Sequence, residues 1–126
     1  MSSLKLTKTE FWEGVSGLHS KGKRFYSLVR KKEYQITALD KTNDRYRIKY
    51  ESKREKWVPM NELYAIYAEL YRLGTLPRNY LRNPENSIRI IGREKWHAPG
   101  ASMYAILPVL DKSIRISSGG DLSVSS

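Results

Sequence analysis

The sequence predicts a single α+β domain, in which a small antiparallel β-meander packs on a central helix with short helices on either side. Apolar residues from Met60 to Leu73 recur at spacings of three and four, which is the period of one helix face. Upstream of them, short runs rich in branched and aromatic residues are joined by short turns, which favours antiparallel pairing. The chain of 126 residues is long enough to build one core without disulfides or a metal.

The central helix has a clear beginning and end. Pro59 suits a first helical turn, where its missing N–H costs nothing, and Gly74 suits the left-handed position that closes a helix. A second stripe formed by Tyr64, Tyr67 and Tyr71 flanks the apolar face. We therefore expect the sheet to pack on this helix.

The segments before the central helix alternate in the manner of strands. Thr7 or Thr9 is expected to cap a short first helix that ends near Gly17. Residues 45–51 alternate without a break, so that Tyr46, Ile48 and Tyr50 face one way. The predicted strands are residues 24–29, 33–39 (with Tyr34, Ile36 and Ala38 on one face), 45–51 and 56–58.

The segments after Gly74 are less regular. Residues 77–82 read as a short second helix, which together with the central helix has the outline of a helix-turn-helix. Asn83 and Pro84 are expected to break it. Residues 87–91 then read as extended, 92–100 as a loop, 101–107 as an apolar helix stopped by Pro108, and 109–110 and 114–116 as a last edge strand. The domain is predicted to span residues 1–117, and the Ser- and Gly-rich residues 118–126 to form a disordered tail.

The charge of the chain favours a polyanionic partner. The net charge is +10, and residues 21–57 carry thirteen Lys or Arg against five Asp or Glu, a net +8. Such a cluster is typical of nucleic-acid binding, although a basic surface that only keeps the protein soluble is the alternative. The chain has no cysteine, which excludes disulfides, thiolate catalysis and Cys-ligated zinc. No apolar run has the length of a membrane span, so we expect a cytoplasmic protein with no membrane partner.

The first group of candidate nucleic-acid-binding residues lies in the basic strands. Arg45, Arg47 and Lys49 are expected to share the outward face of one strand at intervals of about 7 Å. This interval is close to the spacing of successive phosphates along a DNA strand. A face that uses charge to prevent edge pairing is the alternative. The neighbouring candidates are Lys31, Lys32, Lys53, Arg54 and Lys56.

The second group lies in the predicted second helix. Arg78, Asn79 and Arg82 are candidates for reading base edges, since Arg suits guanine and Asn suits adenine. The alternative is a surface helix whose Tyr80 and Leu81 pack into the core.

Signals of catalysis are weak. Glu51-Ser52-Lys53, with Asp40 or Asp44 upstream, matches the loose pattern of metal-dependent nucleases, but a solvated strand end is the alternative. Neither histidine has an Asp or Glu at ligand spacing in the sequence. His97 is expected to be a structural loop residue, with stacking on a base as the alternative. No catalytic residue, metal ligand or cofactor is assigned, and the protein is expected not to be an enzyme.

A wider pattern of apolar residues and glycines extends from about residue 10 to 110. It comprises Phe11-Trp12, residues 22–28, 34–36, 56–59 and 74–76, and Tyr104-Ala105-Ile106-Leu107-Pro108. The pattern resembles a small uncharacterised bacterial α+β domain associated with restriction systems and mobile elements, including integron cassettes. The resemblance implies a DNA-associated role. It carries no catalytic motif, so it transfers no active residue.

The leading hypothesis is non-catalytic binding of nucleic acid, duplex DNA in particular, through the basic sheet surface. An interaction module or homodimer that uses the Tyr-rich flank of the central helix is the second hypothesis. A small metal-dependent nuclease is the third.

Overall fold

The computed structural model describes residues 6–27, 31–50, 54–97 and 100–124 of the chain. Within these ranges helices and strands follow one another as expected for an α+β domain. The elements are α1 (Lys8–Ser20), β1 (Arg24–Tyr26), β2 (Glu33–Asp40), β3 (Arg45–Tyr50), β4 (Arg54–Pro59), α2 (Met60–Leu73), β5 (Thr75–Leu76), a 3₁₀ helix (Tyr80–Arg82), α3 (Pro84–Ile91), α4 (Gly100–Leu110), β6 (Ile114–Ile116) and β7 (Leu122–Val124).

The first four strands form an antiparallel meander in the order β1-β2-β3-β4, which confirms the predicted fold class. Its inner face is apolar because Tyr46, Ile48 and Tyr50 alternate with charged residues along β3 and are buried. A bulge between Ile36 and Ala38 shifts the pairing of β2 with β3. Ala38 therefore pairs with Arg47 on the outer face, and the prediction that Ala38 shares a face with Ile36 was wrong.

Helix α2 supplies the centre of the core. Its residues Met60, Leu63, Ile66 and Leu70 are fully buried, and burying one such side chain stabilises a protein by about 1.5–3 kcal/mol. Gly74 closes the helix in the left-handed region with φ +84°, as predicted. Pro59 lies just before the helix with an extended backbone, and not in its first turn.

Helix α1 is longer than predicted. The Thr7 hydroxyl accepts a hydrogen bond from Glu10 N at 3.1 Å, and Glu10 Oε1 accepts one from Thr7 N, so the predicted capping by Thr7 is confirmed. The helix runs past Gly17 to Ser20, and Leu18 on this added turn is buried. Gly14 lies so close to α4 that a Cβ atom there would be 2.6 Å from Leu110 Cδ2.

The prediction for residues 83–91 was wrong because a helix start was taken for a helix breaker. Asn83 Oδ1 accepts a hydrogen bond from Glu85 N at 3.0 Å, and Pro84 occupies the first turn of α3. Residues 87–91 are therefore helical instead of extended. Helix α4 also continues past Pro108 to Leu110, so residues 109–110 are helical and not part of an edge strand.

The prediction of a disordered tail from residue 118 was also wrong. Strand β7 pairs with β5 and β6 in a second sheet of order β5-β7-β6, and its residue Leu122 is fully buried. The Ser-Gly-Gly-Asp stretch makes the turn between β6 and β7, in which Ser117 N donates to Asp121 O and Gly120 N donates to Ser117 O. The ordered domain therefore extends at least to Val124.

None of the helices in the described part of the chain combines the length and the apolar character that crossing a bilayer requires.

Candidate functional site

The outward row of β3 exists, but its charges are compensated. Arg45 Nε lies 3.0 Å from Asp40 Oδ2, and Arg47 Nε lies 3.6 Å from Glu55 Oε1. The side-chain amide of Asn43 and then the Arg45 guanidinium hold the pKa of Asp40 below its usual value, so this carboxylate is charged at neutral pH. Two of the three cations of the expected row are therefore held in ion pairs.

The same two arginines are also engaged by a tryptophan on β4. The guanidinium carbons of Arg45 and Arg47 lie 4.2 Å and 5.5 Å from the centroid of the Trp57 ring. Both distances fit cation–π contacts. Lys49 is exposed and pairs across the strands with Glu55. The outer face thus mixes charges of both signs instead of presenting an uninterrupted positive surface.

The flanking candidates do not extend this row. Arg54 and Lys56 are exposed on the edge strand β4 and pair with Tyr50 and Ile48. The alternation of the strand places them on the opposite side from Arg47. Lys53, like the whole Glu51-Ser52-Lys53 pattern, lies outside the described residues. Lys31 is exposed between β1 and β2 with φ +53°.

A cavity lies where one end of the large sheet meets α4 and the segment before α3. Its volume is about 320 Å³. Among the described residues, the lining contains Lys32, Arg78 and Arg82 and no Asp or Glu. Four aromatic side chains contribute to it, namely Tyr34, Tyr50, Trp96 and Tyr104. The cavity therefore combines aromatic walls with cations, and it unites three of the predicted binding residues from separate parts of the sequence.

Strand ends form one wall of the cavity. Tyr34 lies near the start of β2 and Tyr50 ends β3, with ring centroids 6.4 Å apart. Ser27 follows β1 at the same end of the sheet, and its Oγ accepts a hydrogen bond from Lys32 N at 3.1 Å. The antiparallel order thus brings three strand ends to one place.

Helix α4 and the loop before it form the opposite wall. The Tyr104 hydroxyl donates to Pro77 O at 2.9 Å, and Trp96 Nε1 donates to Ser87 Oγ at 2.7 Å. Burial, with a smaller contribution from Asp121, raises the pKa of Tyr104, so its phenol is neutral at physiological pH. Gly100 begins α4 so close to Leu81 that a Cβ would lie 3.1 Å from Leu81 Cδ1.

The cations at the mouth of the cavity come from a compact segment and not from a second recognition helix. Gly74 is followed by strand β5, and only Tyr80–Arg82 forms one 3₁₀ turn, so the predicted helix-turn-helix was wrong. Arg78 N donates to Asp121 Oδ1 at 2.8 Å, which fixes the segment to the β6–β7 turn. Asn79 is exposed, and it is absent from the cavity lining.

Neither Arg78 nor Arg82 forms a side-chain ion pair with any residue that the structure describes. Both side chains are exposed while also lining the cavity. Their charges are therefore available to an anionic ligand. In this respect they differ from Arg45 and Arg47 of the outer sheet face, which both have acidic partners.

A buried glutamate of α2 anchors this segment. Glu69 accepts a hydrogen bond from Arg72 Nε at 2.9 Å and also from the Tyr80 hydroxyl and Arg89. Burial alone would raise the pKa of Glu69, but the hydrogen bonds from Arg89, Arg72 and Tyr80 outweigh it and lower the pKa to about 2. The charged carboxylate thus ties the 3₁₀ turn and α3 to the central helix.

Sequence reasoning missed a second buried glutamate, Glu62. His97 N donates to Glu62 Oε1 at 3.0 Å, its ring nitrogen Nδ1 pairs with Glu62 Oε2, and Arg93 contacts the same ring. Nothing near His97 in the sequence indicated this pairing, because the contact spans 35 positions of the chain. One signal existed, since Glu62 and Glu69 are seven apart and so share a face of α2.

The Tyr-rich flank of α2 packs inside the domain. The hydroxyls of Tyr67 and Tyr71 donate to Asp111 Oδ2 at 2.7 Å and 2.8 Å. The Tyr64 hydroxyl donates to Leu6 O at 2.8 Å. Tyr67 and Tyr71 are buried, and Tyr64 is half-buried against Phe11. The surface on which the homodimer hypothesis depended is thus used within the chain.

Comparison of this chain with protein-family models, with curated proteins and with solved structures found no match. The resemblance to a domain of restriction systems and mobile elements therefore stays a prediction from the sequence. Within the described ranges, no three His, Asp or Glu side chains come together in a group suited to a metal ion.

Proposed function

We propose that this protein binds nucleic acid without catalysing its cleavage. The contact involves the cavity between the sheet, α4 and the 3₁₀ turn. One observation carries the proposal: Arg78 and Arg82, which have no ion-pair partner among the described residues, meet Lys32 at an aromatic cavity to which the described residues contribute no Asp or Glu. Nucleic acids offer the two chemical groups that such a site complements, namely phosphates and flat aromatic bases.

The arginines suit phosphate for a geometric reason. A guanidinium presents a planar set of donors that matches two phosphate oxygens, and it stays charged at any physiological pH. Arg78 and Arg82 are four residues apart in a segment held by the Asp121 and Glu69 contacts, so the backbone that carries them is ordered before binding. The net charge of +10 would further attract a polyanion from a distance.

The proposal modifies the hypothesis drawn from the sequence. The outer sheet row, expected to hold duplex DNA, is compensated by Asp40 and Glu55. The phosphate-binding role is therefore assigned to the cations of the cavity, with Lys31 beside them in the chain. Double-stranded DNA stays one of the candidate ligands. A cytoplasmic location forms part of the same proposal.

Fluorescence polarisation with labelled strands of equal length tests the proposal. Single-stranded DNA, duplex DNA and single-stranded RNA are titrated with protein at several salt concentrations. Three phosphate contacts predict that log Kd rises with log salt with a slope of about 2–3. Polyglutamate of matched charge serves as the competitor control, and we expect it to displace the strands poorly because it has no bases. Failure of all three nucleic acids to bind at low salt would overturn the proposal.

A further inference from the structure

We infer that the cavity holds one unpaired nucleotide, with its base against the aromatic walls and its phosphate at Arg78 and Arg82. This inference rests on the proposed function and specifies its ligand. It predicts that single strands bind more tightly than a duplex of the same sequence. The argument depends on the size of the cavity, on its chemistry and on how its walls are fixed.

The size of the cavity suits one nucleotide. A volume of about 320 Å³ lies at the lower end of the range for small-molecule sites, which is roughly 300–1,000 Å³. A stacked base pair does not fit such a space, because its bases are covered above and below and joined at their edges. A base enters the cavity only when it is unpaired or rotated out of the stack.

The chemistry of the lining separates into two parts. Arg78 and Arg82 are exposed at the mouth, whereas Tyr34, Tyr50 and Tyr104 are buried deeper in the walls. Trp96 is half-buried and lines the same space. A nucleotide has the matching order, with a charged phosphate outside and an aromatic base inside, and aromatic side chains bind single-stranded bases by stacking. An inorganic anion or an aliphatic ligand would use only one of these parts.

The walls are held before any ligand arrives. The indole of Trp96 is fixed by Ser87 Oγ, which in turn donates to Leu81 O at 3.2 Å. Tyr104 is fixed by Pro77 O. Ser27 adds a half-buried hydroxyl at the strand end, where it can hydrogen-bond to a base edge. Rings already held in place lose little conformational freedom on stacking, which favours binding.

The test uses a variant that fills the cavity without changing charge. Ala101 is exposed, lies in the first turn of α4 and lines the cavity. Ala101→Phe is compared with Thr42→Phe, which adds the same ring at an exposed turn outside the lining. The probes are a single strand, its duplex, and an abasic strand that keeps the phosphates but has no bases. A mononucleotide and inorganic phosphate serve as competitors.

We expect the parent protein to bind the single strand about tenfold more tightly than the duplex or the abasic strand. Ala101→Phe should lower single-strand affinity about tenfold, to the duplex level, while duplex affinity and salt slope stay within about twofold. Thr42→Phe should match the parent. The mononucleotide should compete at concentrations where inorganic phosphate does not.

Two results would overturn the inference and leave the proposed function standing. One is equal affinity of the parent for the single strand, the duplex and the abasic strand, a comparison that does not depend on any variant folding. The other is single-strand affinity that Ala101→Phe leaves unchanged. Failure of every strand to bind would instead overturn the proposed function itself.

Discussion

The outer face of the large sheet and the cavity at its end both combine arginines with aromatic rings, yet they differ in charge balance. On the outer face, Arg45 and Arg47 stack near Trp57 and each has an acidic partner. In the cavity, Arg78 and Arg82 have no ion-pair partner among the described residues. The two regions are thus similar in composition, but only the arginines of the cavity have charges that are available to a ligand.

This difference shows why a local excess of basic residues does not by itself identify a binding surface. The segment with a net +8 contains the acids that compensate its arginines, because β-pairing brings Asp40 and Glu55 beside Arg45 and Arg47. Exposed ion pairs of this kind contribute little to stability. The carboxylates of these ion pairs nevertheless repel a phosphate that approaches the outer face.

The largest effect that we predict comes from removing the same number of cations from each region. Arg78→Ala with Arg82→Ala should weaken single-strand binding about a hundredfold at low salt, or about 2.7 kcal/mol. The log–log salt slope should fall by about 1.4, since each lost single-strand phosphate contact removes about 0.7. Polarisation titrations at several salt concentrations measure both quantities.

The matched control is Arg45→Ala with Arg47→Ala, which lowers the net charge by the same two units. It should change affinity less than about threefold and leave the slope nearly unchanged. A larger loss from the outer-face pair than from the cavity pair would reverse the comparison. The outer face would then be the binding surface, as the sequence suggested.

The part of the fold that local patterns encode was predictable. Alternation along β3 and the three-and-four spacing of α2 identified the meander and the helix on which it packs. Gly74 was identified as the helix end because only a residue without a side chain easily adopts its backbone conformation. These signals lie within a few residues of the structure that they determine.

The candidate site was predicted only in part, because contacts between distant segments build it. Lys32, Arg78 and Arg82 were named from the sequence, but nothing in it indicated that they meet Tyr50 and Tyr104 around one cavity. The same limit hid the pairing of Glu62 with His97, because a buried acid on a helix looks like a surface residue until its partner is known.

A second, smaller effect should follow from weakening the contacts by which Glu69 holds the 3₁₀ turn beside the cavity. Glu69→Gln removes the charge of the carboxylate that accepts hydrogen bonds from Tyr80 and Arg89. We therefore expect the free energy of unfolding to fall by about 1–3 kcal/mol. Single-strand affinity should fall about fivefold because the 3₁₀ turn bearing Arg82 is less well held. Denaturant unfolding and polarisation measure the two changes, and the exposed Glu13→Gln is the control.

The pH dependence of stability shows whether Glu69→Gln acts by removing a charged carboxylate or only by disturbing the packing. The pKa of Glu69 is about 2 in the folded protein and near 4.5 when unfolded, so its contribution is complete above pH 4.5 and is lost as the pH falls towards 2. Glu69→Gln should therefore be least stable relative to the parent at neutral pH and approach it below pH 3. A stability difference that does not change with pH would contradict the role of the charged carboxylate.

The smallest effect that we predict is a gain. Asp40→Asn with Glu55→Gln removes the two carboxylates that compensate the outer row while keeping the size of each side chain. Arg45 and Arg47 then remain charged beside Trp57, and duplex affinity should rise about threefold, with a salt slope that is steeper by about one. Ala101→Phe combined with these changes should keep the gain, because the outer face lies outside the cavity. If the double change leaves duplex affinity and slope at the parental values, compensation by these acids is not what separates the two regions, and the stacking of both guanidiniums near Trp57 would explain it instead.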